Sequence, residues 1–250
     1  MRRALIVPAA GKGTRLGAGV PKWRTPVAGR PMIDYVLDRH RPHCAAVILV
    51  VSPESREEAE RYLASRSIDG QVAVQTAATG MLDAILLGRD LALASSPDRV
   101  WITWCDQIAI SAASAARLAT LDSVANAPAV VMPTVRQSPP YIHFDRNADG
   151  RLAGVRQRRE GDGMPETGES DAGLFSLSAD AVERLLPDFA ASVAVGAGTG
   201  ERNFLPFLVW AAARTRVETF TIDPVEAAGI NTRDDLARFE RHVASKDPDR

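Results

Sequence analysis

The amino-acid sequence predicts an α/β protein built on a doubly wound, mostly parallel but mixed, Rossmann-like sheet. Three observations carry this expectation. Apolar runs of four to seven residues recur along the first half of the chain, and they are continuous rather than alternating, as in strands covered on both faces. Segments of helical periodicity separate them, the pattern of repeated strand–helix–strand units. The length of 250 residues suits one large α/β domain, at roughly 100–200 residues per domain.

The elements follow in order. Ala4–Pro8, Val47–Val51, Val72–Gln75, Val100–Trp104 and Ala129–Val135 read as buried strands. Between them, Pro31–Arg41, Ser52–Ser65, Thr79–Ala94 and Ser111–Leu121 read as helices, Ser52-Pro53 giving a serine cap followed by proline in the first turn. After Val135 the pattern changes to short strands at Tyr141–Phe144, Leu152–Val155 and Gly173–Leu177, the first two separated by the Asn147-Ala148-Asp149-Gly150 turn. Arg156–Asp171 is too polar for core and reads as a loop; a second small and polar stretch spans Gly196–Arg202. A helix from Asn203 to about Arg214, a strand at Val217–Ile222 and a final amphipathic helix complete the chain, with a frayed tail at 245–250. In such a sheet the site is expected at the carboxyl ends of the strands.

Composition narrows the function. Thirty Lys and Arg against thirty-one Asp and Glu leave a net charge of −1, without the basic stripe of a nucleic-acid binder. No apolar run approaches the ~18–20 residues of a membrane span, and the start MRRALIVPAAGKG lacks the long apolar core and cleavage site of a signal peptide. A cytoplasmic protein is therefore expected, with no nucleic-acid or membrane partner. Cys44 and Cys105 cannot build a disulfide scaffold, and there is no CxxC for zinc.

Leu5–Lys22, LIVPAAGKGTRLGAGVPK, is the most informative segment. A strand runs into a loop of small residues whose backbone N–H groups can approach a phosphate, and Arg15 and Lys22 add fixed positive charge. No GK[ST] follows at Walker spacing, and Leu16 stands where GxGxxG requires its third glycine, which disfavours a Rossmann oxidoreductase. From pattern alone a plain strand–turn–helix junction stays open.

The run AAGKGTRLG followed by PK resembles the signature loop of the sugar-1-phosphate nucleotidyltransferases, and among them the uridylyltransferase domains of bacterial UDP-N-acetylglucosamine pyrophosphorylases. That resemblance implies nucleotidyl transfer from an NTP to a phosphorylated small-molecule acceptor, most simply a sugar 1-phosphate, with release of pyrophosphate. It implies Pro8, Ala9, Ala10, Gly11, Lys12, Gly13 and Thr14 as a phosphate loop, and Arg15 and Lys22 as the catalytic cations. Gln75-Thr-Ala-Ala-Thr-Gly80 matches the family's base-reading element, where Gln75 offers a donor and an acceptor to a pyrimidine, uracil or thymine ahead of cytosine. Asp106, directly after a strand, and Asn231 in Gly229-Ile230-Asn231 match the family's Mg²⁺ ligands; read alone, an Asp there is more often a helix cap or turn former, and Asn231 is equally the cap of the last helix.

The likeness implies one domain over 1–250, with a nucleotide-binding half over about 1–110 and an acceptor-binding half over about 111–240, acting as a monomer or homodimer. The acceptor half departs from the family pattern: Gln137–Phe144 replaces a glycine-tyrosine-glycine turn, Arg156 stands for a glutamate, and Asp171 for an asparagine. Tyr141, His143, Arg156, Arg158 and Asp171 are the acceptor candidates, the Arg156-Arg158-Arg159 cluster for a phosphate or else as a solvated loop. The hexapeptide-repeat acetyltransferase of the bifunctional members is not expected on this chain. A cytidylyltransferase acting on phosphocholine, a polyol phosphate or a phosphonate is the alternative, and a non-catalytic nucleotide-binding regulator a more distant one.

Overall fold

Each apolar run becomes a strand because its alternate side chains have a core to enter on either face. The computed structural model describes residues 1–11 and 13–246. In chain order these form β1 (Arg3–Pro8), two-residue strands β2 (Pro26–Val27) and β3 (Arg30–Pro31), α1 (Met32–His40), β4 (Ala46–Val51), α2 (Arg56–Ser65), β5 (Gly70–Val74), α3 (Met81–Ala94), β6 (Arg99–Thr103) and α4 (Ala112–Leu121). There follow β7 (Val130–Gln137), β8 (Ile142–Arg146), β9 (Leu152–Gln157), β10 (Gly168–Asp171), β11 (Leu174–Ser178), α5 (Leu186–Ser192), α6 (Leu205–Ala212), β12 (Val217–Thr221) and α7 (Arg233–Lys246).

The main sheet has eight strands, running β5-β4-β1-β6-β11-β7, with β10 and β12 also paired to β7. β1 is parallel to β4 and β6, β4 to β5 and β7 to β12, whereas β11 is antiparallel to β6 and β7, and β10 is antiparallel to β7. The sheet is therefore mixed. β8 and β9 form a separate two-stranded ribbon.

Strand parity divides the core. Leu5, Val7, Val47 and Leu49 pack with Val36 of α1, Leu63 of α2 and Leu118 of α4, while Ala4, Ile6, Ile48 and Val50 pack with Ile85 of α3, Leu186 of α5 and Leu208 of α6. Each fully buried aliphatic side chain contributes ~1.5–3 kcal/mol relative to exposure. At the opening ends of the central strands, Asp122 is fully buried and receives Arg3 at 2.6 Å, Trp101 Nε1 at 2.7 Å and Ser176 Oγ at 2.8 Å. No helix among the described residues is long and apolar enough to cross a membrane.

Four expectations change. Ser52 is extended before a short 3₁₀ turn at Pro53–Ser55, and its hydroxyl makes no capping bond, so α2 proper starts at Arg56. Ser111 does cap, accepting from Ser114 N at 3.1 Å. The polar stretch before Asp171 is not all loop: Gly168–Asp171 pairs with β7 and buries Ser170, because backbone pairing needs no apolar side chain. A π-helical turn at Ala181–Leu185 runs into α5, where no helix is expected from the sequence. The expected fray at 245–250 falls in two parts, since α7 continues to Lys246 and residues 247–250 lie outside the described ones.

Candidate functional site

The phosphate-loop segment leaves β1 at Pro8 and is pinned at both ends by backbone contacts. Ala9 N donates to Val50 O at 2.7 Å, and Lys22 N donates back to Gly11 O at 3.3 Å, closing the loop on itself. Gly13 has φ +61°, and a Cβ there would lie 3.1 Å from Lys22 Cα, so this glycine meets both a left-handed backbone and a close neighbour. Buried Leu16 and Trp23 anchor the segment in the core. Thr14–Leu16 and Lys22–Arg24 are 3₁₀ turns that project Arg15 and Lys22 from a supported backbone.

Lys22 is where three distant parts of the chain meet. Its Nζ donates to Asp106 Oδ2, in the turn after β6, and to Asn231 Oδ1 at 2.9 Å, just before α7. Arg15 Nη2 approaches the same Asn231 oxygen at 3.4 Å. Of the two readings of Asn231, cap or site residue, the geometry removes the first. Thr232 is the cap: its Oγ1 accepts from Asp235 N at 3.2 Å while Asp235 Oδ2 accepts from Thr232 N at 2.9 Å, a reciprocal capping box. The Asn231 side chain is thus left for the cations. Arg233, which the sequence reading passed over, ties α7 to the loop by donating to Leu16 O at 3.2 Å.

A carboxylate and an amide oxygen already converge on one cation, here an ammonium, and these are the hard oxygen donors that Mg²⁺ takes alongside phosphate and water. Asp106 and Asn231 therefore fit the metal as its protein ligands. Among the described residues no group of three or more His, Cys, Asp or Glu could hold a metal by itself. Cys105, beside Asp106, is buried, and that burial pushes its thiol up to about 12, away from the thiolate a nucleophile needs.

Gln75 and Gly80 lie at the β5–α3 turn. Gln75 N donates to Val51 O at 2.8 Å, next to the carbonyl that holds Ala9. Its side-chain Nε2 donates to Gly80 O at 3.1 Å, leaving Oε1 without a hydrogen bond among the described residues. Gly80 has φ +114° and presses on residue 202, where a Cβ would come within 2.4 Å of Arg202 O.

A cleft of about 630 Å³ runs from the loop into the second half of the chain. Pro8, Gly11, Arg15, Lys22, Asp106 and Asn231 line one part; Trp104, Gln107, Gln137, Tyr141, Gln157, Arg159, Asp171, Asn203 and Phe204 line the other. Lys12 lies outside the described residues. Of the acceptor candidates, Tyr141 and Asp171 line the cleft, whereas His143, Arg156 and Arg158 do not.

The reason is strand parity. Ile142 pairs with Gln157 and His143 with Arg156, so if the first pair faces the cleft the second faces away. Arg156 there forms a two-bond pair with Asp145 at 2.8 and 2.9 Å, which also lies 3.4 Å from His143 Nε2, and His143 Nδ1 accepts from Glu169 N. Arg158 donates to Pro140 O at 3.0 Å.

Arg159 enters the cleft instead, because Arg158–Glu160 is a 3₁₀ turn that breaks the alternation. The next residue, Glu160, accepts from Gly198 N at 2.8 Å, Thr199 Oγ1 at 2.6 Å and Asn203 Nδ2 at 2.8 Å, and these bonds hold its carboxyl down at about 2. It thereby fastens the glycine-rich stretch 196–202 and positions Asn203. Its only sequence signal is the pairing of one acid with a small-residue loop 38 residues away, which is no motif.

The profile of the MobA-like NTP transferase domain matches residues 5–167. A "Bifunctional protein GlmU" from Rhodopseudomonas palustris (strain BisB5) is 29% identical over 241 residues, covering 94% of this chain and 51% of the relative. Another from Geobacter sulfurreducens is 30% identical over 251 residues, covering 96% and 50%. A third, from Anaeromyxobacter dehalogenans, is 30% identical over 255 residues, covering 97% and 50%. The chain spans about half the length of the curated relatives it matches. With the family profile covering well over half of its residues, the chain belongs to the MobA-like NTP transferase domain family.

Proposed function

We propose that the protein transfers a nucleoside monophosphate from an NTP, UTP or dTTP by preference, to a sugar 1-phosphate or a related phosphomonoester, releasing pyrophosphate with Mg²⁺ as cofactor. The observation that carries this reading is the Lys22 ammonium, held between Asp106 and Asn231 at the mouth of the small-residue loop. In the reaction an acceptor phosphate oxygen forms a bond to the α-phosphorus as the bond to the bridging α–β oxygen breaks. The attacking oxygen is already anionic, so no side-chain nucleophile or general base is required.

The chain's own residues then work by placement and charge. The loop N–H groups hold the triphosphate, while Arg15 and Lys22 neutralise charge that grows on the leaving pyrophosphate. The Gln75 Oε1 and the Gly80 backbone supply edges for the base. Asp106 and Asn231 would hold Mg²⁺, which when bound supplies further neutralisation of the phosphates.

A pyrophosphate-release matrix tests the reading, crossing UTP, dTTP, CTP, ATP and GTP with phosphorylated acceptors, with Mg²⁺ or with chelator. Release that needs nucleotide, acceptor and Mg²⁺ together is expected. A CTP optimum on phosphocholine or a polyol phosphate would transfer the assignment to that alternative. Tight NAD(P)H binding without NTP binding, or NTP binding without turnover on any acceptor, would overturn it.

A further inference from the structure

Four acids around the acceptor part of the cleft have partners among the described residues. Glu201 pairs with Arg159 at 3.5 Å, Asp145 with Arg156, Glu169 with Arg146, and Glu160 with its cradle of amides and hydroxyl. Asp171 is different. Its Oδ2 accepts from Gly173 N at 2.9 Å, and among the described residues it has no ion pair and no hydrogen bond from any other residue's side chain.

Asp171 is half-buried in the wall of the cleft, and a carboxylate placed there without a cation is open to one that a ligand brings. Burial pushes the Asp171 carboxyl up to about 6, and no neighbouring charge offsets that rise. The wall around it is neutral and partly aromatic. Trp104 and Phe204 stand edge to face with centroids 6.0 Å apart, and Tyr141 is 49% exposed at the rim although it is a large ring. Gln107 Oε1 is a buried acceptor with no hydrogen-bond partner among the described residues. Unpaired acceptors beside aromatic faces suit a nitrogen cation, which gains from both.

Resting on the nucleotidyl-transfer reading, we propose that the acceptor is zwitterionic: a phosphomonoester whose body carries a protonated or quaternary nitrogen that pairs with Asp171. The phosphate end would face the nucleotide part of the cleft, and the nitrogen would supply the counter-charge that the chain withholds from Asp171. An amino-sugar 1-phosphate and an aminoalkyl phosphate share this chemistry, and the acceptor panel separates them.

The test measures pyrophosphate release and acceptor binding for the full chain at saturating NTP and Mg²⁺. Glucosamine 1-phosphate, phosphoethanolamine and phosphocholine are set against glucose 1-phosphate and N-acetylglucosamine 1-phosphate, whose bodies are neutral. A preference of about tenfold or more in kcat/KM for at least one cationic acceptor is expected, and Asp171→Asn should collapse that ratio by a similar factor. The same variant should leave the NTP dissociation constant unmoved, which an unfolded or misfolded site would not. Equal or better use of neutral acceptors, equal loss on all acceptors in Asp171→Asn, or NTP binding with no binding of any cationic acceptor would each overturn the inference. Loss of NTP binding in the wild-type chain would instead sink the nucleotidyl-transfer reading beneath it.

Discussion

Asn231 Oδ1 lies 2.9 Å from Lys22 Nζ, although 209 residues separate the two in the chain. The contact exists because Thr232 and Asp235 cap α7 between themselves, leaving the asparagine amide to the cations of the first loop. It joins the start of the last helix to the end of the first loop, with Asp106 from the turn after β6 as the third member.

Removing a member of this set should cost rate and not fold. Lys22→Ala is expected to lower kcat by on the order of 10²–10³, the usual loss when one charge-stabilising contact is taken from a transition state. Asp106→Asn should in addition raise the Mg²⁺ concentration needed for half-maximal activity. Steady-state pyrophosphate release and a thermal unfolding curve on each variant decide it; near-normal turnover in a folded Lys22→Ala protein would remove Lys22 from catalysis.

Gly80→Ala should destabilise the turn that follows β5. The backbone is in a region that L-residues rarely adopt, and the added methyl would meet Arg202 backbone atoms at 2.4 and 2.6 Å. A loss of ~1–3 kcal/mol follows from the strained conformation alone. The midpoint of urea unfolding should fall accordingly, with weaker NTP binding. An unchanged midpoint would show that residue 202 moves aside freely.

Asp122→Ala tests the buried cluster at the far ends of the strands. It leaves Arg3 without its carboxylate, and breaking such a pair costs ~3–5 kcal/mol. Because the cluster sits at the opening ends of β1 and β6, kcat per folded molecule should hold at low temperature while the urea midpoint drops sharply. A small change in midpoint would mean that the cluster is replaceable.

His40 predicts acid sensitivity. It is fully buried, neither ring nitrogen has a hydrogen-bond partner among the described residues, and burial lowers its pKa to about 3. The unfolded chain takes up this proton below about 6.5 and the folded chain does not. Stability should therefore fall as pH drops from 6.5 toward 3, by at most ~1.4 kcal/mol per unit from this group. Urea unfolding at pH 7 and pH 5 should show the decline, and His40→Leu should flatten it. An equally steep decline in the variant would assign the effect elsewhere.

The strands of the first half were legible because both faces of the sheet are covered, which makes them continuous apolar runs bounded by turn residues. The loop from Pro8 to Lys22 was legible for a related reason: small residues and two cations in one stretch carry their chemistry locally. By contrast, β10 and the helical segment from Ala181 to Ser192 were missed, since the first is made by pairing with β7 and the second has no strong entry signal.

The sequence by itself determined the fold class, and its resemblance to a known family singled out Arg15, Lys22, Asp106 and Asn231 as candidates for polyphosphate and metal. Only the tertiary structure decided which candidates share a cleft. Whether Arg156 or Arg159 enters it depends on strand parity and a single 3₁₀ turn. Whether Asn231 caps a helix or meets Lys22 depends on its neighbours competing for the same N–H groups. That Asp171 is left without a cation depends on everything packed around it, and no local pattern along a chain records that balance.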